Sequence, residues 1–174
     1  MPEKLFFVTN YLSPIGSLTI VLSTAGLYRL SFPGEEPGGI RNYLIRKFPG
    51  TAINIDNNDR PCAEVIRQLD DYFNGRRFAF SLPLDLYGTP FQVAVWSALQ
   101  RIPYGATCSY SYIAGSIDRP SAVRAVGQAI GRNPVGIIIP CHRVIGKDGR
   151  LVGFGGGLSI KEWLLNFEAG NIKA

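Results

Sequence analysis

Residues 5–11, 18–22 and 27–32 are three short runs rich in branched and aromatic side chains, the last alternating apolar with polar positions. Ser13, Pro14 and Gly16 interrupt them first, then Ser23 and Gly26. Runs of this length with tight connections predict three strands of an antiparallel meander. A loop is expected over residues 33–39, a helix over 40–48, and a polar, irregular stretch over 49–60. The period then lengthens. Val65, Ile66, Leu69, Tyr72 and Phe73 recur at helical spacing, with Pro61 suited to the first turn and Gly75 closing the helix.

An extended connection over residues 81–85 separates this pattern from a more helical one, which divides the chain into domains 1–84 and 85–174. A helix is expected over 91–100, with Phe91, Val95, Trp96 and Leu99 on one face. A short helix over 109–115, a turn over 116–119 and a helix over 120–132 make a helix-turn-helix pattern. In that second helix Ala122, Val126 and Ala129 share one face, bordered by Ala125, while Arg124, Gly127, Gln128 and Gly131 lie opposite. Glycine inside a helix costs about 1 kcal/mol relative to alanine. Two of them on the outer face imply either close packing against another element or close approach of a ligand.

Three consecutive isoleucines, 137–139, read as a buried extended segment that Pro140 ends. Residues 146–150 have the composition of a hairpin tip, and 152–157 form a glycine-rich loop, either a plain linker or the cover of a pocket. A last helix should start at Ser159, with Glu162 completing a capping box, and stop at Gly170. Ile160, Trp163, Leu164 and Phe167 would be its apolar face. Glu168 falls at the edge of that stripe. There it either pairs, with His142 as the natural partner, or reaches water.

Composition narrows the classes. The chain of 174 residues is 46% hydrophobic, enough for a sizeable core. It shows no membrane-length apolar run, and its first residues lack a signal-peptide layout, so a cytoplasmic protein is expected, nuclear if the source is eukaryotic. Three cysteines without paired spacing argue for free thiols, and one histidine without a Cys-x-x-Cys motif argues against a metal site. Residues 1–84 hold nine Lys/Arg against eight Asp/Glu; residues 85–174 hold nine against five. The basic second half suits an anionic partner, and nucleic acid is the one expected.

Candidate chemistry concentrates at Pro140-Cys141-His142-Arg143. A thiol becomes a strong nucleophile on losing its proton, and basic or cationic neighbours favour that loss. Cys141 beside His142 is therefore a candidate nucleophile with its activator. A buried cysteine next to a core histidine is the alternative that the residues alone leave open.

Gly127 with Asn133-Pro134, then Pro140-Cys141-His142-Arg143-Val144, Gly155-Gly156-Gly157-Leu158 and Trp163-Leu164-Leu165 leading to Glu168 resemble the O6-alkylguanine-DNA alkyltransferases. The similarity spans about residues 88–170. It implies an α+β fold with a small RNase H-like N-terminal support domain of antiparallel sheet and helix. A mostly helical, winged-helix C-terminal domain would bind DNA. It further implies single-use transfer of an alkyl group from guanine O6 to Cys141 after the nucleotide is flipped out, leaving O4-alkylthymine open as a second substrate. His142, through a bound water, would take the thiol proton and Glu168 would orient it. Asn133 would support the turn, and Tyr110 would rotate the target phosphate or help protonate the leaving guanine. Arg124 would enter the base stack from the minor groove, with Ser111, Ala122, Gly127 and Gly131 also at the DNA. Val135, Gly136, Phe154 and Gly155 would line the base pocket. No cofactor and no metal are implied, and a monomer acting on double-stranded DNA is expected.

Overall fold

The computed structural model describes residues 2–34 and 39–172, so part of the loop expected over 33–39 lies outside the described residues. The chain divides into two compact units, 1–86 and 87–174.

In the first unit, β1 (Glu3–Ser13), β2 (Gly16–Ser23) and β3 (Gly26–Ser31) form the expected antiparallel meander. The helix α1 (Gly39–Lys47) follows. The stretch expected to be irregular contains a strand instead, β4 (Ala52–Asp56), which pairs parallel with β1. The sheet order is β3-β2-β1-β4, so the sheet is mixed rather than purely antiparallel. Ile53 is the reason: it is buried in a cluster with Phe6, Val21, Tyr28 and Leu44, which brings α1 onto the sheet. The outer edge of β3 is covered by the chain at 83–85, where Leu27 N donates to Pro83 O and Asp85 N to Leu27 O. Gly26, at φ +150°, allows this approach, because a Cβ there would lie 2.5 Å from Pro83 O. A 3₁₀ turn (Arg60–Cys62) leads into α2 (Ala63–Phe73), which buries Val65, Leu69 and Tyr72.

The second unit begins with α3 (Pro90–Leu99), capped by Thr89 and Gln92 in a reciprocal box with Pro90 in the first turn. Its Trp96 is buried and donates Nε1–H to Ala129 O at 2.9 Å. That bond ties α3 to the helix-turn-helix pair α4 (Tyr110–Ser116) and α5 (Val123–Gly131). The helix α5 starts later than expected. Ala122 N bonds Arg119 O, so Pro120 serves a turn rather than the first helical position. Its buried residues are Val126, Ala129 and Ile130, with Ala122 half-buried at the cap and Ala125 exposed.

Residues 136–138 are a turn, not an extended segment. Ile137 takes φ +71°, a left-handed conformation that costs a branched residue roughly 1–3 kcal/mol. Burial of Val135, Ile137 and Ile139 and a set of local hydrogen bonds hold it there. A 3₁₀ turn (Cys141–Arg143) follows, then β6 (Val144–Ile145). The strand β6 pairs parallel with β5 (Cys108–Ser109), not with the returning limb after 146–150, which closes only a turn through Gly146 N and Arg150 O.

The helix α6 (Leu158–Ile172) begins one residue before Ser159 and bonds back from Lys161 N to Gly157 O. Ser159 therefore lies exposed inside the first turn and no Ser159–Glu162 box forms. Its buried stripe is Lys161, Leu164 and Glu168, while Ile160, Trp163 and Phe167 are half-buried. The stripe that faces the core thus carries two charges.

Candidate active site

The site is built on the turn that ends in Cys141. Asn133 closes it with both ends of its side chain: Nδ2 donates to Ile139 O at 2.8 Å and Oδ1 accepts from Val135 N at 3.0 Å. Ile139 N reaches Val135 O, and Cys141 N reaches Ile139 O. Asn133→Ala leaves Val135 N without its acceptor and removes one of the two donors to Ile139 O. It is expected to cost about 1–3 kcal/mol in urea denaturation, and an unchanged midpoint would remove Asn133 from this role.

Cys141 is 7% exposed, and His142, next to it, is fully buried. His142 Nε2 lies 2.8 Å from Glu168 Oε1. Glu168 is not at the rim of the core: it too is fully buried. It accepts from Arg143 Nε at Oε2 and from Arg143 Nη2 at Oε1, both at 2.9 Å, and from Gly105 N at 3.0 Å. Arg143 Nη1 donates to Ile102 O at 2.7 Å, and the guanidinium stands 5.6 Å from the Tyr104 ring centre. The ion pair is therefore two-pronged and hydrogen-bonded further at both ends, the form in which a buried charge pair is tolerated.

This pairing decides protonation states. Burial pushes the Glu168 carboxyl up, but the hydrogen bonds and charges of His142 and Arg143 outweigh it and hold it at about 2. Burial pushes His142 below the usual histidine range; Glu168 opposes this and Arg143 and Lys161 reinforce it. A neutral imidazole facing an ionised carboxylate carries its proton on Nε2. Nδ1 is then a bare acceptor, and it is buried without a hydrogen-bond partner in the protein.

Tyr110, the first residue of α4, donates its hydroxyl to Val152 O at 3.2 Å. Burial, and then Cys141 in its ionised form, pushes the phenol up. Gly127 faces the Tyr110 ring, and an added Cβ there would meet it only at an ordinary 3.7 Å. At Gly131 a Cβ would meet nothing within 4 Å. Internal packing therefore requires neither glycine. Arg124 and Ser111 are exposed, and Ser111 Oγ lies 2.9 Å from Ser109 Oγ.

The family model for the 6-O-methylguanine DNA methyltransferase ribonuclease-like domain matches residues 7–86, and the model for the DNA-binding domain of the same enzymes matches residues 90–170. A constitutive methylated-DNA–protein-cysteine methyltransferase of Bacillus subtilis is 52% identical over 93% of this chain and 94% of its own. One from Methanosarcina barkeri is 45% identical over 92% and 96%. The chain belongs to the 6-O-methylguanine DNA methyltransferase family. Among solved structures, that of Mycobacterium tuberculosis OGT in complex with DNA superposes with a TM-score of 0.78, at 38% identity over 96% of this chain and 94% of that one.

Within this methyltransferase fold, the residues read from the sequence do not all meet at one point. Cys141, His142 and Glu168 come together at the 3₁₀ turn, and Asn133 braces it from behind. Val135 and Gly136 are buried in the turn itself, while Phe154 is half-buried and Gly155 exposed on the loop before α6. A cavity of about 400 Å³ beside α4, lined by Ala98, Ile102, Thr107, Cys108, Tyr112 and Ser116, contains none of these four. Three contributors escaped the sequence reading. Arg143 stood in the motif as a neighbouring charge, and neither Gly105 nor Lys161 was singled out. Gly105 has φ +71°, and that conformation turns its amide onto Glu168. The run Pro103-Tyr104-Gly105 was the available signal for such a turn.

Proposed function

We propose that the protein repairs alkylated DNA by direct reversal, with Cys141 as the alkyl acceptor for O6-alkylguanine. The observation that carries this reading is the bare Nδ1 of a buried, neutral His142 adjoining Cys141 in the chain, its proton held on Nε2 by a saturated Glu168. That arrangement is a general base for a thiol and little else.

The chemistry balances without a cofactor. Cys141 gives its proton to Nδ1, through a bound water, and the thiolate attacks the alkyl carbon. The S–C bond forms as the C–O6 bond breaks, the electron pair passes into the guanine ring, and the proton ends on ring N1. Tyr110 is suited to assist at that last step once its hydroxyl leaves Val152 O. The product thioether has no ready leaving route, so each molecule acts once.

An O6-alkyl group is out of reach inside a duplex, so the nucleotide must be turned out. The outer face of α5, with exposed Arg124 between shallow positions at Ala122, Gly127 and Gly131, supports entry from the minor groove, with Arg124 filling the vacated stack. Ser111 at the start of α4 is placed for a phosphate. The exposed Arg101, Arg119 and Arg132 add sequence-independent attraction. A monomer suffices, because every group invoked lies in one unit.

The test is intact-mass spectrometry with peptide mapping after incubation with a duplex carrying one O6-methylguanine. The expected result is one methyl gained per chain, on the Cys141 peptide. Binding of that duplex with no change of mass would overturn the transfer reading.

A further inference from the structure

In the sequence, His142 is the evident activator of Cys141, with Arg143 a cationic neighbour beyond it. In the structure neither supplies a free positive charge. Arg143 is matched by Glu168 through two hydrogen bonds, and His142 is neutral at its Nδ1. We propose that Lys161, twenty positions along the chain, is the cation that stabilises the Cys141 thiolate, and so acts as a positioning residue for the transfer reaction. The proposal rests on Cys141 being the acceptor.

Four observations converge on it. Lys161 is fully buried and shares the inner stripe of α6 with Leu164 and Glu168, the stripe packed on the 3₁₀ turn of Cys141. Its Nζ makes one hydrogen bond, 2.8 Å to Val152 O, and no carboxylate pairs with it among the described residues. The same carbonyl accepts from Tyr110, so the two head groups meet on one oxygen, and both feel the charge of Cys141. Finally, burial pushes the ammonium down and Cys141 as a thiolate pulls it back up, while Lys161 in turn depresses His142. Lysine, thiol and imidazole therefore share one field.

A buried ammonium without a counter-charge is unfavourable, and methionine would fill the same volume without that cost. The charge becomes matched only when Cys141 ionises. The remaining groups around the sulfur do not compete for that role. Glu168 is taken up by Arg143 and His142, and Tyr110 is held neutral. Cys108 on the neighbouring strand is pushed by burial to about 11 and stays a thiol. Since Lys161 also disfavours the imidazolium, it favours a thiolate whose proton has moved on over one trapped as an ion pair with His142.

The experiment is the rate of Cys141 carboxamidomethylation by iodoacetamide against pH, located by peptide mapping, in the full chain and in K161M, K161Q and K161R, with single-turnover methyl transfer from DNA alongside. Removal of the charge raises the thiol pKa. In K161M and K161Q the rise of rate with pH should move up by at least about one unit, which is roughly tenfold slower reaction at any pH below both midpoints. At alkaline pH these variants should rejoin the wild type, and K161R should keep the wild-type midpoint. K161Q retains a donor for Val152 O without the charge. A wild-type midpoint in K161Q, or a K161M rate reduced equally at every pH, would make Lys161 a mere support of the loop and overturn the proposal. Failure of the wild type to take methyl from DNA would instead strike the transfer reading and leave the thiol titration readable.

Discussion

Glu168→Gln is expected to lower folding stability by about 3–5 kcal/mol and to slow alkyl transfer by roughly 10²–10⁴. Both effects come from the same four bonds. Glutamine leaves Arg143 as a buried charge without its partner, and removing one member of such a pair costs far more than the pair contributes. Its amide can also donate to His142 Nε2, which would move the imidazole proton to Nδ1 and abolish the base. Urea denaturation and single-turnover transfer separate the two. The double variant Arg143→Met/Glu168→Gln removes the orphan charge, so it should recover much of the stability while transfer stays slow. A single variant that melts like the wild type would show that the carboxylate does not anchor this turn. The acid limb follows with a definite sign. The folded-state pKa of Glu168 is depressed to about 2 from the ordinary carboxylate value of 4.5. The stability it confers is therefore complete above about 4.5 and is lost as pH falls toward 2.

Elements whose local pattern and tertiary environment agree were readable from the chain. The meander was one, because its strands face a single core and turn at Ser13, Gly16, Ser23 and Gly26. The pairing of His142 with Glu168 was readable as one of two alternatives, since a carboxylate at the edge of an apolar stripe either pairs or reaches water, and the buried Glu168 pairs. The fourth strand was hidden because Ile53 and Ile55 are two apolar positions in a polar stretch, and their pairing with β1 is long-range. The isoleucine run misled in the opposite direction. Three branched residues favour extended backbone, but Asn133 clamps both Val135 N and Ile139 O and forces Ile137 through a left-handed turn.

The last helix shows the same limit at the site. Ile160, Trp163 and Phe167 are the more apolar choice of inner face, yet the helix is rotated so that Lys161 and Glu168 point inward. Hydropathy assigns charged residues to solvent, and only knowledge of their partners reverses that. Arg143, saturated by Glu168 and Ile102 O, was unreadable for the same reason. The helix α5 was legible in kind, and its glycines were flagged, but two explanations stood until the space around them was known.

Alanine at both Gly127 and Gly131 should raise stability and weaken DNA binding, an outcome of opposite signs that few substitutions produce. In a helix, alanine is favoured over glycine by about 1 kcal/mol per position. Nothing in the fold offsets that gain: the new methyl at 127 would rest on the Tyr110 ring at van der Waals distance, and the one at 131 would meet no atom within 4 Å. A gain of about 1–2 kcal/mol is therefore expected, somewhat less if the end of α5 frays at Gly131. The reason for glycine must then lie outside the chain. If α5 enters a groove, each methyl holds the helix away from the sugar–phosphate wall and lengthens every contact that Arg124 and its neighbours make. On this reading duplex affinity falls by on the order of tenfold to a hundredfold, or about 1.4–2.7 kcal/mol. Urea denaturation gives the first quantity, and fluorescence anisotropy with a labelled duplex at one fixed salt concentration gives the second. Stabilisation with unchanged binding would remove this helix face from the DNA interface. Destabilisation would mean that the glycines serve the fold after all, and that the open space beside them is filled by packing.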